Sequence, residues 1–219
     1  MKATDVVPLH LADVIYPEMH PLAGETGIVL AFAIRLPDGV LLFDSGVGEG
    51  DAWVDENYRP RVREIGEALR GAGLDAANVR TIVHSHLHFD HCGQDRAFPG
   101  VPIVVQRIEH EAARVAGHTV PEWVDFPGSR YEDIEGDREL APGISVLATP
   151  GHTLGHQSLV IRTDDGLVLL VGQASQDARS FATGEADDSV TRLRALNAER
   201  IHFSHDRAVL RRRAPVARA

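Results

Sequence analysis

The sequence predicts an α+β protein in which two mixed β-sheets pack together with helices outside, and three observations carry that prediction. A β-hairpin pattern occurs twice: IRLPDGVLLF at 34–43 lies over IRTDDGLVLL at 161–170, with Ile34, Arg35, Asp38, Gly39 and Leu42 matching Ile161, Arg162, Asp165, Gly166 and Leu169 at one constant offset. A second echo follows each hairpin, TIVHSH at 81–86 and RIHFSH at 200–205, aligning Ile82, Ser85 and His86 with Ile201, Ser204 and His205. Helical stretches separate these strands in both halves, so each half supplies a sheet and its outer cover. At 219 residues and 43% apolar, the chain is long enough for one domain with a sizeable core. The expected organisation is a single domain, 1–219, of two related halves, about 1–115 and 140–219, joined by a loop segment at 116–139.

Taken in order, IVLAFAIRL at 28–36 alternates as a strand does, and PDG turns it into VLLFDSG. RPRVREIGEALRGAG at 59–73 sets Val62, Ile65 and Leu69 at helical spacing and stops at Gly71 or Gly73. TIVHSH is a short strand, as is VPIVVQ at 101–106, which leads into a helix over RIEHEAARVAG. Trp123, Phe126 and Tyr131 lie in the long connection HTVPEWVDFPGSRYEDIEGD, where they either wall a substrate pocket or pack internally. ISVLATP is a strand, the second hairpin follows, DDSVTRLRALNAE is a helix, and RIHFSH is the last strand. The basic end LRRRAPVARA reads as a solvated helix end and a frayed tail.

Composition excludes several kinds of function. A net charge of −10 opposes nucleic-acid binding, which needs a basic footprint. No apolar run is long enough to span a bilayer and the N-terminus lacks the layout of a secretory signal, so a cytoplasmic protein without membrane partners is expected. Lys2 is the only lysine, which removes lysine-nucleophile chemistry from the body of the chain. The serine-elbow, P-loop and dinucleotide fingerprints are missing. With one cysteine, Cys92, a metal would depend on carboxylates and the 12 histidines.

TIVHSHLHFDHCG at 81–93 concentrates those histidines. In extended chain, His86 and His88 project to one side and can grip one ion, while Asp90 and His91 can face another. His152, in the Gly- and Pro-rich turn TPGHTLGH, is the natural third ligand beside His86 and His88. Three imidazoles leave a tetrahedral zinc one open position for a water acidified to a pKa of about 7.

HLHFDH at 86–91 resembles the His-x-His-x-Asp-His signature of the metallo-β-lactamase superfamily. LLFDSG resembles its early Asp-Thr-Gly turn, TPGHTLGH its third-histidine loop and FSHD its late histidine, so the likeness runs along nearly the whole chain. Within the superfamily, SHLHFDHCG with GDRELAPGISVLATPGHTLGHQSL is most similar to the N-acyl homoserine lactonase-like group. The resemblance implies an αβ/βα four-layer sandwich, one metal on His86, His88 and His152, and a second on Asp90, His91 and His205. The internal repeat supports His205, which overlies His86. Zinc, one or two ions per chain, is the expected cofactor, and manganese, iron or cobalt suit similar ligand sets. The implied reaction is attack by a metal-bound hydroxide on a lactone or other small-molecule ester, with Asp90 as the catalytic residue that positions water and passes a proton to the leaving alkoxide. Alternatives are a thioester hydrolase resembling hydroxyacylglutathione hydrolases, and a non-catalytic metal- or ligand-binding protein with a degenerate second site. Oligomeric state is not legible.

The chain departs from the family at two positions. Gln173 stands where an aspartate usually bridges the metals, so the second metal is expected to bind more weakly, with the Gln173 amide oxygen or Asp177 as substitutes. Gln176 replaces a tyrosine that assists some lactonases. Asp44 is expected to hydrogen-bond a ligand histidine, and His156 either to brace its loop or to be a plain loop residue. Cys92, His84 and His202 are expected to pack, and His10, His20, His110 and His118 to lie at the surface or pack.

Overall fold

The first predicted hairpin forms from β2 (Thr26–Leu36) and β3 (Gly39–Phe43), and the second from β10 (Gln157–Thr163) and β11 (Gly166–Leu170). In each case a third strand then runs parallel to the hairpin's second strand: β5 (Val79–Val83) beside β3, and β12 (Arg200–His202) beside β11. The registers coincide. Ile34 pairs with Leu41 and Leu42 with Ile82, while Ile161 pairs with Val168 and Leu169 with Ile201. Residues aligned by the two sequence echoes therefore hold the same places in two sheets.

The computed structural model describes residues 1–212. β1 (Val6–Ile15), β4 (Arg61–Val62), β6 (Pro102–Gln106) and β7 (Arg130–Ile134) complete a seven-stranded mixed sheet in the order β4-β1-β2-β3-β5-β6-β7. β8 (Arg138–Ala141), β9 (Ile144–Ala148) and β13 (Leu210–Arg211) complete a six-stranded mixed sheet, β13-β12-β11-β10-β9-β8.

Alternating side chains from both sheets meet between them: Phe32, Ile34, Phe43 and Val83 face Val146, Leu159, Ile161 and Leu170. Full burial of each such side chain contributes about 1.5–3 kcal/mol. The opposite faces carry the helices. Leu42, Ile82 and Ile103 pack on Ile65 and Leu69 of α2 (Ile65–Gly71), after α1 (Ala52–Tyr58). Leu169, Val171 and Phe203 pack on Phe181 of α6 (Ala178–Thr183) and Leu193 of α7 (Asp188–Ala195). Helix, sheet, sheet and helix layers make the expected four-layer sandwich. Short helices α3 (Phe89–Cys92), α4 (Arg107–Ala112) and α5 (Pro121–Val124) follow the strands of the first sheet.

Three local expectations are corrected. The helix predicted from residue 59 starts at Ile65, because Val62 pairs with Ala12 as an edge strand and Gln94 Oε1 accepts the Ile65 N–H at 2.8 Å. The connection 116–139 is not all loop: it contains α5 and β7, a strand whose polar sequence RYEDI suits a sheet edge. Leu210 and Arg211 form a strand beside β12 rather than a helix end, and the rest of the predicted tail, 213–219, lies outside the described residues.

Candidate metal centre

Side chains that follow the C-terminal ends of β5, β9, β11 and β12 line one cavity of about 210 Å³, among them His88, Asp90, His152, Gln173 and His205. His86 lies buried beneath it. His86 Nε2 stands 3.1 Å from His88 Nδ1, which stands 3.0 Å from His152 Nε2. Asp90 Oδ2 stands 3.6 Å from His91 Nε2 and 3.5 Å from His205 Nε2. The structure thus gathers all six predicted residues into two triads, His86–His88–His152 and Asp90–His91–His205, the ligand atoms of each within 4.8 Å of one another.

Local backbone explains the convergence. His88 is extended at the N-terminus of α3, whose single turn then presents Asp90 and His91. The His91 carbonyl accepts the Ser45 N–H at 2.7 Å and the Gly46 carbonyl accepts that of Gly93 at 2.7 Å, pinning α3 to the turn after β3. Gly172, at φ 58°, takes the chain out of β11 directly beside the ligand segment. A Cβ there would come within 2.6 Å of Ser85 Cβ and 2.8 Å of His156 Nε2, so only glycine fits.

The first triad is neutral. Burial, helped by the neighbouring imidazoles, pulls His86 well below its ordinary pKa and His152 to about 3. Burial likewise takes His88 to about 4, against the Asp90 carboxylate. Unprotonated imidazoles expose lone pairs, the form a metal needs. In the second triad burial also lowers His205, whereas the Asp90 and Asp44 carboxylates outweigh burial and hold His91 up. His91 Nδ1 lies 2.8 Å from Asp44 Oδ2 and His205 Nδ1 donates to the Ile28 carbonyl at 2.9 Å. Those bonds orient the rings and leave His91 Nε2 and His205 Nε2 buried without a hydrogen-bond partner, facing Asp90. Orphaned nitrogens beside a carboxylate fit a cation, and so does the all-imidazole triad.

Asp44 does what the sequence suggested and more. Its carboxylate accepts the Ser85 N–H at 2.7 Å, the Ser85 hydroxyl at 2.9 Å and, more weakly, the Ser204 hydroxyl at 3.5 Å. His84, expected to pack, is corrected: it is fully buried but sits 2.7 Å from Asp95 and 3.6 Å from Asp44, and these carboxylates overcome burial to raise its pKa to about 10. Against burial, its protonated form is favoured chiefly by Asp95, eleven residues on in a 3-10 turn. His202 does pack, edge-on to Phe32. His156 braces its loop through Thr149 at 2.9 Å and accepts the Gln173 N–H at 3.0 Å. The Asp177 carboxylate caps α6, Oδ1 accepting the Ser180 N–H at 2.6 Å. Gln173 donates its amide to Gln176 instead, at 3.2 Å.

Several residues near the site were missed. Glu109, fully buried, accepts the Leu87 N–H at 2.9 Å, His118 Nε2 at 2.8 Å and the Thr153 hydroxyl at 2.6 Å, tying together both segments of the first triad. Those donors outweigh burial and bring its pKa down to about 2. His118, through Glu109, and His20, at the cavity wall, are therefore parts of the site's surroundings. Trp123 and Phe126 are buried packing residues. The aromatic wall comes from Trp53, Tyr58 and Phe89, which line an adjoining cavity of about 420 Å³ with His88, His118, Val120 and Pro121.

Residues 24–205 match the Metallo-beta-lactamase superfamily, and the chain belongs to it. Among its relatives, the chain is 37% identical over 166 residues to N-acyl homoserine lactonase AiiA of Bacillus thuringiensis subsp. kurstaki, covering 70% of this chain and 66% of that one. It is 34% identical over 125 residues to N-acyl homoserine lactonase AttM of Rhizobium radiobacter, covering 48% and 44%. The chain thus spans less than two thirds of the length of these curated relatives. An N-acyl homoserine lactone hydrolase solved with N-hexanoyl-L-homoserine at its catalytic metal centre superposes with a TM-score of 0.79 at 28% identity, over 94% of this chain and 95% of that one. No helix among the described residues is long and apolar enough to cross a membrane.

Proposed function

We propose that this chain is a metal-dependent hydrolase that opens lactones bearing an acyl chain, of the N-acyl homoserine lactone kind. The observation that carries the reading is the juxtaposition of the two ligand triads with the cavity walled by Trp53, Tyr58 and Phe89: His88 and Phe89 border both spaces. A polar reaction centre opening onto an apolar chamber suits a polar ring with a hydrocarbon tail. His86, His88 and His152 would hold one ion and Asp90, His91 and His205 another, zinc being the metal that the histidine-rich set favours. When bound, the metal supplies a Lewis acid that acidifies water and polarises a carbonyl. Asp90 accepts a hydrogen bond from the attacking water and carries its proton toward the departing alkoxide. Asp44 and the Ile28 carbonyl hold the His91 and His205 rings in place. Among the described residues, neither cavity is lined by lysine or arginine, which disfavours an anionic thiol carrier and with it the thioesterase alternative.

The test is elemental analysis of protein purified without chelator or a metal-binding tag, followed by turnover of N-hexanoyl homoserine lactone. The expected result is one to two ions per chain and ring opening that a chelator abolishes. Metal-replete protein that opens no lactone would overturn the proposal.

A further inference from the structure

Tyr16 follows directly on β1 and lines the same cavity as Asp90, Gln173 and His205. Its phenol is held from several sides. The His20 ring stacks on it at 4.0 Å, nearly parallel. Gly27 leaves it room, since a Cβ there would come within 2.6 Å of Tyr16 Oη. The backbone is fixed as well, Tyr16 N–H donating to Glu25 and Gly24 N–H to the Tyr16 carbonyl.

Hydrogen-bond polarity then decides what the phenol can do. Gln173 Nε2 donates to Gln176 Oε1 at 3.2 Å, and Gln176 Nε2 donates to Tyr16 Oη at 3.0 Å. An amide nitrogen only donates, so Tyr16 Oη is the acceptor of that bond and its own proton is left for another partner. A phenol is protonated at neutral pH, and burial together with the Asp90 carboxylate raises the Tyr16 pKa further. When a carbonyl is attacked, negative charge develops on its oxygen, and donors already fixed in place stabilise it most. Asp90, a carboxylate, accepts rather than donates, and the Gln173 and Gln176 amide groups each give one N–H to the chain that ends on Tyr16.

We propose that Tyr16 is a catalytic residue whose hydroxyl donates a hydrogen bond to the oxygen that gains charge during ester cleavage, aimed by the Gln173–Gln176 relay. This rests on the hydrolase reading above. Gln173 and Gln176 are then positioning residues, coupling the phenol to the position after β11.

Tyr16→Phe keeps the ring and removes only the donor. With N-hexanoyl homoserine lactone as probe, kcat should fall about 100-fold, with KM within about threefold and with metal content and melting temperature as in the parent. Gln176→Met, which leaves the phenol in place but unaimed, should lower kcat by about tenfold. A Tyr16→Phe protein with kcat within about twofold of the parent, or one whose lost activity matches lost metal, overturns the proposal while the hydrolase reading stands. A parent chain that holds metal and opens no lactone ends both.

Discussion

The two triads arise from matching strand ends yet are supported in different ways. Ser85–His86 ends β5 in one sheet and Ser204–His205 ends β12 in the other, but His86 joins an all-imidazole set and His205 a set with a carboxylate. Behind the second triad a buried carboxylate, Asp44, touches a ligand imidazole directly and is itself paired through His84 to Asp95. Behind the first triad the buried carboxylate is Glu109, which touches no ligand ring and instead clamps Leu87 and Thr153, the neighbours of His86, His88 and His152. Both serines point their hydroxyls at Asp44, while the place of Asp44 in the repeat is taken by apolar Val171. One carboxylate thus serves both halves. The more buried triad is fixed by charge, and the more exposed one by the loops that carry it.

The comparison breaks most completely at a ligand. His88→Ala removes the central imidazole of the first triad, 3.1 Å from His86 and 3.0 Å from His152, and should bring lactone turnover to background together with loss of most bound metal. Retained turnover with metal intact would defeat the ligand assignment. The support of the second triad is probed by Asp95→Ala, which strips His84 of its nearer carboxylate inside the core. Breaking a buried pair on one side costs about 3–5 kcal/mol, to be read from urea unfolding of metal-free protein. A loss under about 1 kcal/mol, the scale of an exposed pair, would show that His84 is not buried as a cation.

Gln173→Asp sharpens the contrast from the other side. It would place a carboxylate beside both triads, where the chain now offers an amide that donates to Gln176. Added negative charge between two cations should tighten the more weakly bound ion by about tenfold, measured by competition with a chromophoric chelator. Unchanged affinity would mean that position 173 faces neither ion.

Much of this design was legible because repeats and ligand spacing are local in sequence. The aligned hairpins and the Ser-His ends located both sheets, and His86, His88, Asp90 and His91 lie within one short run. What escaped was long-range or contrary to the usual pattern. Asp95 drew no assignment from the sequence, because nothing local marks its pairing with His84. In α4 the apolar Ile108 is exposed and Glu109 is fully buried, the reverse of what hydrophobic periodicity selects. Tyr16 lies 157 positions before the Gln173 cavity partner and follows a strand of the other sheet, so nothing local in sequence marks their meeting. A strand such as RYEDI is stabilised by its neighbour β6 rather than by its own composition.

Glu109→Gln is the substitution that separates the two kinds of support. The substitution keeps the shape and removes the charge that accepts three hydrogen bonds, so at neutral pH it should cost about 2 kcal/mol. The pH dependence follows from the direction of the shift. A carboxylate whose folded pKa is about 2, against an ordinary value of 4.5, contributes stability that is fully present above about 4.5 and lost as pH falls toward 2. The parent and Glu109→Gln proteins should therefore differ most in urea midpoint at neutral pH and converge in acid. Parallel curves across that range would mean that Glu109 acts through shape alone. Because its partners are Leu87, His118 and Thr153 rather than the ligand rings, the variant should disturb loading of the three-histidine triad and spare the Asp90–His91–His205 set, which Asp44 holds independently.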